Sequence, residues 1–471
     1  MALGRQGERQ VELMVGWAEL PRSPGHAFYD RLQAVLVEAG FDSFAESRCA
    51  THYTSKSGRP SLPPGRYFRM HLVGYFEGID SERGLEWRCA DSLSLREFLR
   101  LGTTERVPDH SWLSKTRARL PLEVHEAIFT WVLQRLAEHG LIQGDRIGVD
   151  ASTPPRPPAA SPAGIGSMSA ASMEANAALR SIVRRDSGEG YREMLQRLAK
   201  ASGIETPTAD DLIRLDRQRK GKRLSNTDWA SPTDPEAKIA KMKDGRTRLA
   251  YKPEHAVDLD SGAIVAAEIH PADQGDTTTL PETLQAAEAN LATADAAPTP
   301  EEPAELVADK GYHSREGLKD LEDGVWRSRI AEKKVKGVNR WRGDADARRA
   351  VYNNRARLRS GAAKEAFKLR AELVERSFAL TLDRGGMRRA WLRGRENLHK
   401  RYLVHVAGYN LGLIMRFLVG AGTPRELLAR TAGRLLVLTA ADGAVIAILT
   451  LATDTETAML AVSIEPEPHG R

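Results

Sequence analysis

Cysteine is nearly absent: the chain has two, Cys49 and Cys89, in 471 residues, with no CxxC and no Cys/His zinc spacing. A disulfide scaffold and a structural zinc are therefore excluded, and both thiols are expected to be buried in a reducing cytosol. The first ten residues, Met-Ala-Leu-Gly-Arg-Gln-Gly-Glu-Arg-Gln, do not form a signal peptide. Long apolar runs are missing too. The most apolar stretch, Leu435 to Val462, is interrupted by Asp442, Asp454 and Glu456, so no bilayer-spanning segment and no membrane partner are expected. There is no GxxxxGK[ST] loop to cradle a nucleotide, and no internal repeat. What remains is a chain with 41% hydrophobic residues, enough for a sizeable core in two or three domains.

Positive charge is in slight excess, 69 Lys and Arg against 63 acids, for a net +6 and a pI near 9.2. It is unevenly placed. Lys333 to Arg370 holds thirteen basic and three acidic residues, and Arg217-Gln-Arg-Lys-Gly-Lys-Arg223 is a second run. Local basic runs suggest a polyanion, most often nucleic acid, although a solvated helix face would give the same composition.

Residues 1–140 read as helical. Phe28 to Gly40 and Tyr67 to Glu77 carry apolar residues at helical spacing, Asp109 or Ser111 can cap a helix after Pro108, and Leu122 to Leu141 completes the unit. Such a unit is either a DNA-binding domain or a plain helical cap. Gln143 to Asp150 is a turn and a short strand ending in a carboxylate. Pro154 to Gly166 is low-complexity, and Pro154–Ala171 as a whole reads as a flexible surface insert. Ser172 to Arg185 is expected to be a helix, with further helices at Gly190–Ala201 and Thr208–Arg219. Tyr251–Asp260 and Ala263–His270 form a hairpin turning at Asp260-Ser-Gly262, and a helix runs from Leu280 to about Ala292. Glu305-Leu-Val-Ala-Asp309 is a buried strand ending in a second carboxylate, after which Gly311 lets the chain turn and Ser314 caps a helix. Val325–Ala331 is a strand, Lys364–Leu382 a helix, and Arg393–Val419 a long amphipathic helix.

Taken alone, Asp309 could be a helix cap. A strand-end carboxylate in an open α/β sheet, however, faces the ligand crevice, and Asp150 and Glu375 occupy comparable settings. The order strand–Asp, hairpin, helix, strand–Asp, helix, strand, helix–Glu is that of an RNase H-like domain. Its five-stranded mixed sheet has three antiparallel strands followed by two parallel ones. The first and fourth strands are neighbours there, so Asp150 and Asp309 would meet although 159 residues separate them. A helix on the sheet would present Glu375 to the same point. Three carboxylates converge only around positive charge. Mg²⁺ or Mn²⁺ suits their hard oxygens, and two such ions can serve phosphodiester chemistry.

Several stretches then resemble DDE transposases of bacterial insertion sequences. They are Ser172–Arg185, Glu254-His-Ala-Val-Asp258, Ala272-Asp-Gln-Gly-Asp-Thr277, Ala308-Asp-Lys-Gly-Tyr-His313, Leu373-Val-Glu-Arg-Ser-Phe378 and Arg393-Gly-Arg-Glu-Asn397. Ser57-Gly-Arg-Pro60 and Pro108-Asp-His-Ser111 are similar to that family's N-terminal helical domain. The likeness covers roughly residues 25–425 and rests on the joint order of the motifs. It implies that Asp150, Asp309 and Glu375 are the metal-binding triad. It also implies cleavage and strand transfer on double-stranded DNA, both element ends and target, by an oligomer of this chain. Two departures stand out. Pro154–Ala171 intervenes between the first Asp and the Glu-Ala-Asn-Ala segment. Some relatives also place a Tyr and an Arg just before the catalytic Glu and a Lys after it, whereas here the position four before Glu375 holds Ala371 and the position seven after holds Leu382.

The expectation is an α/β protein in three parts. Residues 1–140 form a helical domain, 141–425 an RNase H-like domain with an insertion at about 151–247, and 426–471 a tail of unassigned role. Candidate DNA contacts are Lys333, Lys334, Lys336, Arg340, Arg342, Arg355, Arg357, Arg359, Arg370, Arg376, Arg388 and Arg393; Arg370, Arg376 or Arg388 could substitute for the family's flanking residues in gripping phosphate, and the sequence does not choose among them. Glu372, one turn from Glu375, is its rival. Tyr312 and His313 either pack beside the Asp309 strand or touch DNA. Trp326 reads as core, and Trp341 as a loop aromatic able to stack on an unpaired base. A cytoplasmic, nucleoid-associated transposase is the leading reading. A nuclease that cuts without joining and a DNA-binding remnant are the rivals.

Overall fold

The structure is a computed structural model that describes residues 26–54, 61–102, 104–151, 173–219, 224–242, 246–333, 341, 343–433, 437–439 and 445–447. Pro154–Ala171, Ser57–Pro60, Lys334, Lys336, Arg340, Arg342 and most of 430–471 lie outside the described residues.

The N-terminal part is built from α1 (His26–Glu38), α2 (Phe41–Cys49), α3 (Pro64–Glu77), α4 (Glu82–Ala90), α5 (Leu93–Phe98), α6 (His110–Arg119) and α7 (Leu122–Glu138). The ends follow local chemistry. Asp109 caps α6 through Ser111 N and Trp112 N, Ser81 caps α4, and Gly78, at φ 70°, closes α3 in the left-handed region that favours glycine. Cys49 and Cys89 are buried and unpaired as expected, and burial pushes their thiols up to about 11 and about 12.

The remaining described elements follow in order. They are β1 (Arg146–Ala151), β2 (Met173–Glu174), β3 (Val183–Arg184), α8 (Tyr191–Ala201), α9 (Ala209–Gln218), β4 (Trp229–Ala230), β5 (Lys238–Lys241), β6 (Thr247–Asp258), β7 (Ile264–Pro271), α10 (Asp276–Ala292), β8 (Ala304–Ala308), α11 (Arg315–Glu322), β9 (Trp326–Ile330), α12 (Ala345–Leu358), α13 (Gly361–Phe378), α14 (Arg395–Val419), α15 (Pro424–Gly433), β10 (Val437–Thr439) and β11 (Val445–Ala447). The main sheet has β1 between β6 and β8. The β6–β1 and β6–β7 pairs are antiparallel, and β1–β8 and β8–β9 are parallel. This is the RNase H-like order. Two short strands, β2 and β5, extend it along the N-terminal half of β6. The β6–β7 turn is held by Asp258, whose Oδ1 accepts from Asp260 N and Ser261 N while Oδ2 accepts from Gln143 N and Gly144 N.

One helix expectation fails. Ser172–Arg185 is not helical where described: it forms β2, a 3₁₀ turn at Leu179–Ser181, and β3. The alanines favour a helix, but Met173 and Glu174 pair with β6, and Glu174 exchanges backbone bonds with Arg388 O and Ala390 N. Tertiary pairing overrides weak local propensity. The helix expected from Leu280 begins earlier, at Asp276, and the basic segment contains a helix, α12, that the charge run concealed.

Arg395–Arg430 is long and apolar enough to cross a membrane by composition. Burial accounts for the apolar character of α14: it packs on α7 and α3 on one side and β7 on the other. Asn410 pins it there, accepting from Ile264 N and donating to Ile264 O.

Candidate active site at the sheet edge

Val149 and Ala308 are register partners in the parallel β1–β8 pair. Asp150 and Asp309 follow them, so both carboxylates leave the same edge on strands about 4.8 Å apart. Strand alternation fixes the faces. Gly148 and Asp150 look toward α13, and Glu254 on β6 looks the opposite way. A Cβ at Gly148 would stand 2.6 Å from Leu259 Cδ2 and 3.2 Å from Val374 Cγ2, so glycine there admits α13 close to β1.

From α13 comes Arg370. Its Nε donates to Val149 O at 3.0 Å, and its Nη2 lies 2.8 Å from Asp150 Oδ2. That Nη2 is buried with no aligned acceptor, so the contact with Asp150 is ionic rather than a directed hydrogen bond. Burial pushes the Asp150 carboxyl up to about 7; Arg370 pulls it down, and the charges of Asp309 and Asp276 add to the rise.

Asp309 caps the 3₁₀ turn Lys310–Tyr312 and accepts from Gly311 N at 2.6 Å. A Cβ on Gly311 would lie 2.7 Å from Asp309 Oδ1 and would collide with Asp276 Oδ2. Asp276, at the start of α10, is thus a third carboxylate at this edge. It belongs to the Ala272–Thr277 motif, whose spacing alone marks it only as part of a loop. Lys252 Nζ holds it, 3.0 Å from Asp276 Oδ1.

Glu375 is placed differently. It is exposed on α13, on the side away from the residues that pack on the sheet. Arg370, five residues earlier, is what this helix turns toward Asp150. Glu372 is also exposed and pairs with Arg376. Among the described residues, no group of three His, Cys, Asp or Glu is already arranged to hold a metal ion. Asp150 and Asp309 nonetheless have the donor chemistry for a hard divalent cation: half-buried oxygen ligands at a sheet edge where negative charge is under-compensated.

The basic candidates divide. Arg355 is committed to Glu332, with Nε 2.8 Å from Oε2. Arg357 binds Glu322 Oε2 at 2.9 Å and Ser328 O at 2.9 Å. Arg388 pairs with Asp383. Arg359 and Arg393 are exposed, as is Lys333, whose Nζ donates to Gly311 O at 3.2 Å beside the aspartates. Tyr312 and Trp326 are core residues. Arg315 lies over the Trp341 ring at 4.6 Å.

On the face of β6 that looks toward α13, His255 stacks on Phe378, with ring centroids 4.1 Å apart. Ser377 Oγ donates to Val374 O, so it accepts from His255 Nδ1, and Nε2 accepts from Tyr402 OH at 2.7 Å. Burial holds this imidazole down at about 3, and it stays neutral.

Residues 19–119 match the family described as a transposase domain, DUF772, and residues 192–411 match the transposase DDE domain. No significant match is found among curated proteins or solved structures. The two family matches fall in chain order, the first on the N-terminal helices and the second on the sheet with its helices. The chain belongs to the DDE transposases of insertion sequences.

Proposed function

We propose that this transposase binds the double-stranded ends of an insertion sequence, cuts them, and transfers the freed strands to target DNA. The observation that carries this reading is the convergence of Asp150 and Asp309 at neighbouring ends of parallel strands, from motifs 159 residues apart. Transposases of this family generally use divalent metal ions. Asp150 and Asp309 are the residues that would hold Mg²⁺ or Mn²⁺; Glu375, the third acid by the family pattern, lies on the exposed side of α13 in this structure. When bound, a pair of such ions favours attack on a phosphodiester by neutralising charge on the oxygens involved. The protein's own part is to hold the two aspartates at one edge and to offer Arg370 as a counter-charge.

The helical residues 1–140 would recognise element ends. Lys333, Arg359 and Arg393 would take phosphates, and the working form would be an oligomer of this chain on paired ends. The family is typically soluble and cytoplasmic, which supports a site of action on the nucleoid.

The test uses purified full-length protein, DNA carrying the element ends, and Mg²⁺. Cleaved and joined products are expected. Asp309→Asn should abolish cleavage while end binding stays within a few-fold, because metal ligation needs the carboxylate whereas phosphate gripping rests on Lys and Arg. Strand cleavage at wild-type level by that variant would refute the assignment. Cleavage by the wild type without joined products would reduce the protein to a nuclease.

A further inference from the structure

Glu254 is a carboxylate with no exposed surface, on the face of the sheet opposite Asp150. Burying a charge costs several kcal/mol unless it is fully hydrogen-bonded, and its partners are specific. Oε1 accepts from Tyr312 OH at 2.7 Å and from Thr279 Oγ1 at 2.9 Å. Oε2 accepts from Thr283 Oγ1, and His270 Nε2 lies 3.5 Å from it. Two residues earlier on the same face, buried Lys252 donates to Asp276 Oδ1, Gln274 O and Thr279 Oγ1, at 3.0, 3.2 and 3.0 Å. Thr279 therefore receives from Lys252 and gives to Glu254.

The partners define a path. Tyr312 ends the 3₁₀ turn that Asp309 caps, and Thr279 lies in the first turn of α10, which Asp276 begins. One buried carboxylate thus ties together the two segments that bring acids to the sheet edge, although they come from motifs more than thirty residues apart. The Gly311 contact shows how closely those segments meet. A carboxylate kept only for packing would be equally well replaced by an apolar side chain. Here its acceptor oxygens fix the rotation of a turn that bears a metal ligand, as outer-shell partners do in metal sites.

We propose that Glu254 is a positioning residue, acting through Tyr312 on the Asp309 turn and through Thr279 on the start of α10, so that the aspartates are pre-set to take a divalent cation. This rests on the metal-site reading above.

The experiment is a titration of full-length protein with Mn²⁺ alone as probe, followed by loss of the free-ion electron paramagnetic resonance signal. Cleavage of end DNA is measured over the same Mn²⁺ range. Tyr312→Phe, which removes one oxygen, and Glu254→Gln should each raise the half-saturating Mn²⁺ concentration about 10-fold. Cleavage by these variants should climb again as Mn²⁺ is added, unlike that of Asp309→Asn. If Glu254→Gln fails to fold, Tyr312→Phe carries the test. A Tyr312→Phe variant that melts lower but keeps the wild-type Mn²⁺ midpoint overturns the proposal and makes the network a fold support. If Asp309→Asn loses Mn²⁺ binding in that same series, the metal-site reading survives. Wild-type protein that binds no Mn²⁺ overturns both.

Discussion

Arg370 Nη2 sits 2.8 Å from Asp150 Oδ2, yet its N–H groups are not aimed at the carboxylate. The cation lowers the cost of the buried charge without abolishing it, and Asp150 remains raised to about 7. An unfolded aspartate titrates near 3.9, about three units lower. A group whose folded pKa is raised contributes stability that is complete below the unfolded value and is lost as pH rises through the folded one. In metal-free buffer, Asp150→Asn should therefore melt above the wild type at pH 8, and the gap should close toward pH 5. Calorimetry of both proteins across that range checks it; a gap independent of pH would place Asp150 in water.

The basic segment divides by partner rather than by position. Arg355 and Arg357 face Glu332 and Glu322, so their charges are already matched. Changing them to Ala should lower the melting temperature and change DNA affinity little. Lys333, Arg359 and Arg393 are exposed. Replacing these three together should weaken binding to every sequence. It should also flatten the slope of log affinity against log salt by about 0.9 for each phosphate no longer neutralised. Filter binding from low to moderate salt measures the slope, and an unchanged slope would locate the DNA elsewhere.

The sheet was legible because its signals are local. Leu306, Val307 and Ala308 run apolar into Asp309, and Ser261-Gly262 marks the hairpin. Strand order then follows from RNase H-like topology. The network around Glu254 was not legible, since Tyr312, Thr279 and Lys252 meet it from separate segments and nothing in their spacing reveals a shared face. The α12 helix was hidden by its charge, although Ala347, Ala350, Val351 and Asn354 form its buried stripe. On α13, periodicity located a helix carrying both Arg370 and Glu375. It could not say which of them turns toward Asp150, because that depends on how α13 sits on Gly148. Ser172–Arg185 misled because pairing with β6 and with Arg388 and Ala390 outweighs its alanine content.

Among the described residues, five of the six buried histidines set the response to acid. His71 and His405 lie at the contact of α3 with α14, and neither ring has a hydrogen-bond partner. Burial, with the charge of Arg401 added, holds both well below the usual imidazole range. His125, His255 and His399 are held at about 3, about 3 and about 4, in each case by burial first. All five stay neutral when folded and take up protons near pH 6.5 once unfolded. A lowered histidine contributes stability that is lost as pH falls through the unfolded value, because the unfolded chain then binds more protons. Asp150 and Glu268, raised to about 7 and about 8, act in the opposite direction over the same window. Burial also raises Glu126 and Asp260; five protons taken up on unfolding still outnumber those released by these four acids, so the histidines should win. The melting temperature should fall steadily from pH 6.5 to pH 5. His405→Leu, which removes one titrating group from the α3–α14 contact, should make that fall shallower. Scanning calorimetry of the two proteins over this range tests it. An equal slope in both would mean that His405 is hydrated and already titrates in the folded state.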